Sequence, residues 1–349
     1  MSRRINASLL VLVIALAAFA LSGKQSITVA NAAPAASYDL LSSLPSSDFI
    51  VYVDTQRILT DVMPAILIEN VEARAELESN LDKFKKDMGF DPRLLDAVAI
   101  GLNLNSSKRA HDFDFAVIAR GRFDATAVID SGLNAATKGS HGELEKQTQQ
   151  YEGRTIYLLG AAKPTQTDGA APGVDSEPGP NTMTFVALDS NTVAFGNLKS
   201  VQATIDAAMG RERVDDELVQ LATRTPGAVV SFSGNLTPET ASNFRLGNKQ
   251  ADESISSIRQ IFGSLTMAGN DMEGRVNIRT EAEEQARQLS TSLNALKFMA
   301  KLGISNDASD EEKTIESLLN DVEVFAVGNE VQITSRVPLT DIAPFVCHL

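Results

Sequence analysis

His111, Asp112 and Asp114, in "RAHDFDFAV", are the residues in this chain that come closest to a ligand set. An imidazole and two carboxylates are donors that divalent metals accept. Side chains alternate along a strand, so Asp112 and Asp114 would share one face. The pattern goes no further. Metal ligands recur at short spacing, and the sequence holds no His-x-His, His-x-x-x-His or Cys-x-x-Cys. His111 and His141 both fall in expected loops, where a histidine is solvated. His348 lies next to the C-terminus. The expectation is no metal and no cofactor.

Nucleophilic and phosphate-binding motifs are also absent. There is no G-x-S-x-G, no P-loop and no G-x-G-x-x-G. "GSHGE" and "SFSGN" break the required spacing. Cys347 is the sole cysteine, so no internal disulfide forms. A terminal tail also lacks the rigidity to hold a thiol against a base. Acidic runs at Asp215-Asp216-Glu217 and Asp310-Glu311-Glu312 open expected helices, where carboxylates meet the positive end of the dipole. Paired carboxylates for glycoside hydrolysis are defined by spatial separation, which spacing along the chain does not reveal. The chain has no Trp and only four Tyr, which argues against a sugar cleft. No catalytic residue is expected.

The elements around these positions follow from pattern. "SSDFIVYVD" (46–54) reads as a strand. In 70–89, Leu77, Leu81, Phe84 and Met88 form one helical stripe, with Asn70 as cap and Gly89 as stop. "AVAIGLNL" and 112–121 read as a strand pair. Asp124 caps a helix, and "ELEKQTQQYEGRTIYLLG" reads as a hairpin turning at Glu152-Gly153. The Pro/Gly-rich segment 161–182 has too little apolar surface to order itself. "TMTFVALDSNTVAFGN" reads as a second hairpin. Asn197 then caps a helix with the inner stripe Leu198, Val201, Ile205 and Met209.

The second half repeats much of this plan. "GAVVSFSGN" (227–235) is a strand, and "GSLTMAGN" with "EGRVNIRT" a strand pair. A long helix follows, with Thr280 and Glu283 as a capping box and Ala282, Ala286, Leu289, Leu293, Leu296 and Ala300 as its stripe. Ser309 and Glu312 form a second capping box. A hairpin turning at Gly328-Asn329 and a short helix close the chain. Phe115 aligns with Val276, a shift of 161, and Val193 with Val331, a shift of 138. The expected fold is α+β: two related modules, 38–212 and 225–346, each an antiparallel sheet with helices packed on one face. The echo between halves leaves duplication open.

The N-terminus points to export. Arg3 and Arg4 precede an apolar run from Leu9 to Leu21, and Ala30-Asn31-Ala32 forms an A-x-A peptidase site. The run of 13 residues is short for a membrane span, which needs about 20. Residues 1–32 are read as a signal peptide, with an uncleaved anchor as the alternative. Removing their three cations takes the formal charge from −14 to −17. That charge disfavours nucleic acid and anionic lipid surfaces. Membrane association is expected only through the N-terminal segment, if it is retained.

"LPSSDFIVYVD", "YEGRTIYLLG" and "FVALDSNTVAFGNLKSVQATIDAAMG" resemble motifs of a family of uncharacterised exported bacterial proteins, a domain of unknown function. The resemblance covers much of residues 44–210. It implies export and an α+β fold, and it carries no catalytic residue. The expected function is a non-enzymatic exported envelope protein, periplasmic or secreted, that binds or scaffolds an unknown envelope protein or small ligand. The alternatives are a carrier of a small apolar ligand between helices and sheet, and a hydrolase with a spatially assembled site.

Overall fold

A computed structural model describes residues 34–68, 70–103, 114–140, 143–161, 182–237, 256–302 and 319–346. Ala30, Ala32, His111, Asp112, His141, Ser309, Glu312, Cys347, His348, the apolar run and nearly all of the 161–182 segment lie outside the described residues.

In chain order, helix α1 (Pro34–Ser42) leads to strand β1 (Phe49–Val53). Then come α2 (Thr55–Arg57), a π-helical turn (Ile58–Val62), α3 (Met63–Ile66) and α4 (Val71–Met88). Next are β2 (Leu95–Asn103), β3 (Asp114–Gly121), α5 (Ala125–Gly139), β4 (Leu144–Tyr151) and β5 (Arg154–Ala161). β6 (Met183–Asp189), β7 (Thr192–Gly196), α6 (Leu198–Ala208), α7 (Asp216–Ala222) and β8 (Val230–Asn235) follow. The rest is β9 (Ile258–Ala268), β10 (Asp271–Thr280), α8 (Glu283–Leu302), β11 (Glu323–Val327), β12 (Glu330–Pro338) and α9 (Leu339–Val346). The fold is α+β, with the strand pairs described below all antiparallel.

The chain forms two compact units, and they differ from the expected consecutive modules. One unit takes Met1–Tyr38, Asp48–Arg74 and Asp216–Leu349; the other takes Asp39–Ser47 and Ala75–Asp215. The reason is a strand pairing. β1 pairs with β8 from Phe49↔Gly234 to Val53↔Val230, so the early strand belongs with the late half. Alternation along β1 shows that it is a strand; it does not name the partner.

In the first unit the strands run β11-β12-β10-β9-β8-β1. Their alternate residues Val276, Ile278, Val331 and Ile333 form a core with Ala286 and Leu289 of α8. α7 covers the opposite face, where Ser233 Oγ donates to the Leu218 carbonyl at 2.6 Å. In the second unit the strands run β2-β3-β7-β6-β5-β4. α5 lays Ala125, Ile129 and Leu133 on Val193, with Tyr157 and Phe185 packed around them. α6 lies on the other face: a Cβ on Gly196 would sit 3.5 Å from Ser200 Cβ. Helices therefore pack on both faces of each sheet. The reason is visible in "FAVIA" and "FVAL", which are apolar on both faces and need cover on both. Val201 and Ile205 of α6 are fully buried, and each such side chain contributes about 1.5–3 kcal/mol.

The two units share one order of connection. Leaving out the β4-β5 hairpin, which has no counterpart, β2-β3-α5-β6-β7-α6 follows the same path as β9-β10-α8-β11-β12-α9, and β10–β12 neighbour each other as β3–β7 do. Val193 pairs with Ala119 and Val331 with Ile278. Equating the two pairs sets Ala119 against Ile278, two residues from the expected alignment. An even displacement leaves every side chain on its own face.

Local signals mostly hold. Asp124 Oδ1 accepts from the Ala127 N–H at 2.8 Å and Asn70 Oδ1 from Ala73 at 2.9 Å. Gly89 ends α4 with φ +68°. Two readings change. The Thr280–Glu283 capping box does not form, because Thr280 is the last residue of β10 and its N–H is bonded to the Asn329 carbonyl. Gln285 Oε1 instead accepts from the Ala282 N–H at 3.0 Å. The α6 stripe is also displaced: Ser200, Val201, Thr204, Ile205 and Ala207 are buried, while Met209 is exposed.

Candidate interaction edge

Of the sequence-derived ligand set, only Asp114 is described. It opens β3, and its carboxylate accepts from Asn197 Nδ2 at 2.8 Å and Lys199 Nζ at 3.2 Å. Asn197 Oδ1 in turn accepts from the Ser200 N–H at 2.8 Å. Asp114 therefore orients the amide that caps α6. A carboxylate in that position is structural support for a helix start.

Charged clusters elsewhere hold elements together. Arg279 donates to Glu330 Oε1 at 2.9 and 3.2 Å, to Gln260 Oε1 at 2.6 Å and to Glu217 Oε1 at 3.0 Å. Arg224 reaches both Glu330 oxygens at 3.0 and 3.2 Å. The two guanidinium groups lie 5.2 and 5.5 Å from the centroid of Phe262, which is 1% exposed. A cation over an aromatic face is attracted to it, and here the pair also closes the core. Arg93 bonds Glu78 at 2.6 Å and Asp82 at 2.9 Å. These bonds fasten α4, none of whose residues is buried, so Leu77, Leu81, Phe84 and Met88 are only half-covered. Tyr151 Oη donates to Asp206 Oδ2 at 3.0 Å, and Arg211 binds Asp206 at 2.5 Å and Glu152 at 3.4 Å. The Asp206 hydrogen bond, with some burial and the acidic field, pushes the Tyr151 hydroxyl above its ordinary pKa. Among the described residues, no group of three His, Cys, Asp or Glu is placed to hold a metal ion.

Two of the outer strands, β11 and β4, are treated differently. β11 turns into β12 through Gly328-Asn329, with Val327 opposite Glu330. In a two-residue hairpin the closing pair is hydrogen-bonded, and alternate residues point their backbone groups outward. The outward carbonyls are then those of Ala326 and Val324, and of Val322 just before the strand. Asn294 Nδ2 donates to Val324 at 3.0 Å and Lys297 Nζ to Val322 at 2.5 Å. α8 thus occupies two of these three acceptors.

β4 lacks this cover among the described residues. It turns into β5 through Glu152 (φ +49°) and Gly153 (φ +74°), the left-handed pair of a type I′ turn. Tyr151 faces Arg154, and the register runs without a bulge to Leu144↔Ala161. The outward backbone groups therefore belong to Leu144, Lys146, Thr148 and Gln150. Among the described residues, the one partner these groups find is Ser140 Oγ, which accepts from the Leu144 N–H at 3.2 Å. No described strand lies beyond β4. Natural edges are blunted by Pro, bulges, short length or free lysines. β4 has eight residues and no Pro or Gly, and its one lysine is committed. Lys146 Nζ binds Asp130 at 2.7 Å and lies 4.9 Å from the Tyr157 centroid.

Sequence reasoning found this hairpin and missed its place at the rim. The available signal was "EKQTQQ", polar at every position, beside the apolar "TIYLLG" of its partner. A strand with no apolar face has no core to cover on either side.

No family model and no curated protein matches this chain. Among solved structures it is similar to crystal form III of TP0453, at 11% identity and TM-score 0.44 over 89% of this chain and 98% of that one. Crystal form IV of TP0453 gives 12% identity and TM-score 0.44, over 91% and 100%.

Proposed function

We propose that this chain is a non-enzymatic exported envelope protein that binds or scaffolds other proteins through the β4 edge. The observation that carries the reading is the contrast between two sheet rims. α8 side chains occupy the Val324 and Val322 carbonyls at the β11 rim, whereas Lys146, Thr148 and Gln150 present backbone donors and acceptors outward. Such a row is the template for strand addition, in which main-chain hydrogen bonds give the affinity. Export rests on Arg3, Arg4, the apolar run and the Ala30–Ala32 site, and it accords with the exported family whose motifs the chain resembles.

The test is affinity capture from envelope extracts with the wild-type chain and Thr148→Pro in parallel. Proline removes an N–H that points away from β5, a position where an edge strand tolerates it. The expected result is a partner held by the wild type and lost by the variant. Equal capture by both, or recovery of a stoichiometric metal or cofactor, overturns the reading. N-terminal sequencing that finds Met1 intact on a cytosolic pool overturns export.

A further inference from the structure

We propose that Ser264, Arg275 and Asn277 form a carboxylate-binding site on the face of β9 and β10 that α8 does not cover. The site is separate from the β4 edge and goes beyond that reading.

Strand register lays a polar row across this face. Ser231 on β8 opposes Ser264 on β9, Ser264 opposes Arg275 on β10, and Arg275 opposes Thr334 on β12. Asn277 lies two residues beyond Arg275, on the same face. The alternate residues Val276 and Ile278 join the core under α8 on the other face. Ser264 is 4% exposed and Asn277 5%. Side chains this covered are usually hydrogen-bonded within the protein. Neither has a side-chain hydrogen bond among the described residues.

The charges on this face leave one cation over. Arg224 and Arg279 are matched by Glu330 and Glu217. Arg336 takes Asp271 at 2.7 Å and Glu273 at 3.5 Å. Arg275 is exposed and has no acid partner among the described residues. A carboxylate fits what is left. It offers about four lone-pair sites. The guanidinium fork of Arg275 fills two of them, and the Ser264 hydroxyl and the Asn277 amide fill one each. Ser264 and Asn277 are diagonal neighbours on β9 and β10, with about 7–8 Å between them. A carboxylate flanked by hydrogen bonds of about 2.9 Å spans that gap. A phosphate would bring a further oxygen and more negative charge toward Glu273, which shares the face two residues before Arg275.

Amide NMR of the purified chain during titration with acetate, and separately with inorganic phosphate, tests this. The expected result is a saturable shift at Ser264, Arg275 and Asn277 with acetate, and weaker binding of phosphate. Arg275→Ala is expected to weaken acetate binding about tenfold or more, the worth of hydrogen bonds to a charged group. Arg275→Lys keeps the charge and loses the fork, so it is expected to bind nearer to the alanine variant than to wild type. Ser264→Ala is expected to weaken binding about threefold to tenfold. Urea midpoints of the two Arg275 variants are expected to match wild type, because the side chain is exposed. Shifts that do not saturate, or an Arg275→Ala variant that binds as wild type does, overturn the proposal. Phosphate bound as tightly as acetate overturns the carboxylate assignment, and Arg275→Lys binding like wild type overturns the fork. These outcomes are independent of the Thr148→Pro capture, which tests the β4 edge.

Discussion

Asn294 Nδ2 on α8 donates to the Val324 carbonyl on β11 at 3.0 Å, and also to the Ser290 carbonyl at 3.0 Å. One side chain thereby joins a helix to a sheet rim and occupies an acceptor that another strand would otherwise use. Asn294→Ala is expected to cost about 1 kcal/mol, the net value of a typical intramolecular hydrogen bond. Urea unfolding measures it. An unchanged midpoint would mean that water replaces the amide without loss.

The Asp114–Asn197–Ser200 chain makes a coupled prediction. Asn197→Ala removes the α6 cap and is expected to cost about 1 kcal/mol. Asp114→Ala should cost less, because it loosens the cap without deleting it. The double variant should be no less stable than Asn197→Ala alone, since Asp114 acts on the helix through Asn197. Additive losses in denaturant unfolding would show that Asp114 works independently.

The Arg279–Glu330 pair is a stronger tie. Glu330 is mostly covered and Arg279 about one quarter exposed. Breaking a buried pair costs about 3–5 kcal/mol, and partial exposure reduces this to about 2 kcal/mol for Arg279→Ala. Adding Glu330→Leu is expected to deepen the loss, because Arg224, which binds both Glu330 oxygens, then loses its partner as well. Thermal unfolding of wild type and both variants decides it; a double variant more stable than Arg279→Ala contradicts the account.

Two glycines should respond in opposite directions to alanine. A Cβ on Gly263 would lie 2.4 Å from the Arg275 carbonyl oxygen and 2.7 Å from Phe232 Cζ. Gly263→Ala is expected to lose about 2–3 kcal/mol through overpacking. Gly132 lies in α5 with nothing within 4 Å of its added Cβ. Gly132→Ala is expected to gain about 0.5–1 kcal/mol by removing backbone freedom from a helix interior. The comparison is read from paired unfolding curves.

Asp91 gives a pH dependence. Burial works against its charge, but hydrogen bonds from Lys85 and the Arg93 N–H, with the field of both cations, outweigh that and hold its carboxyl below the ordinary aspartate value of 3.8. A carboxylate with a lowered folded pKa stabilises the fold above its unfolded pKa, and that contribution disappears as pH falls through the folded value. Asp91→Asn is therefore expected to be less stable than wild type at neutral pH and equal to it well below pH 3.8. A stability gap constant across an acid titration would remove Asp91 from the explanation.

What could be read from the sequence was local. Asp124 and Asn197 cap their helices because a side-chain oxygen reaches an N–H three residues on, and Glu152-Gly153 turns because such a turn needs left-handed backbone. Alternation and helical stripes gave the α+β class. The rest depended on which surfaces met. Thr280 would serve as a cap until the Asn329 carbonyl claims its N–H, and that carbonyl is 49 residues away. β1 takes β8 as its partner because strand pairing is made across space, and a five-residue apolar pattern fits many partners. The difference between the two rims arises in the same way. Both β4 and β11 are ordinary hairpin strands in sequence, and only the packing of α8 against one of them decides which set of backbone groups is occupied.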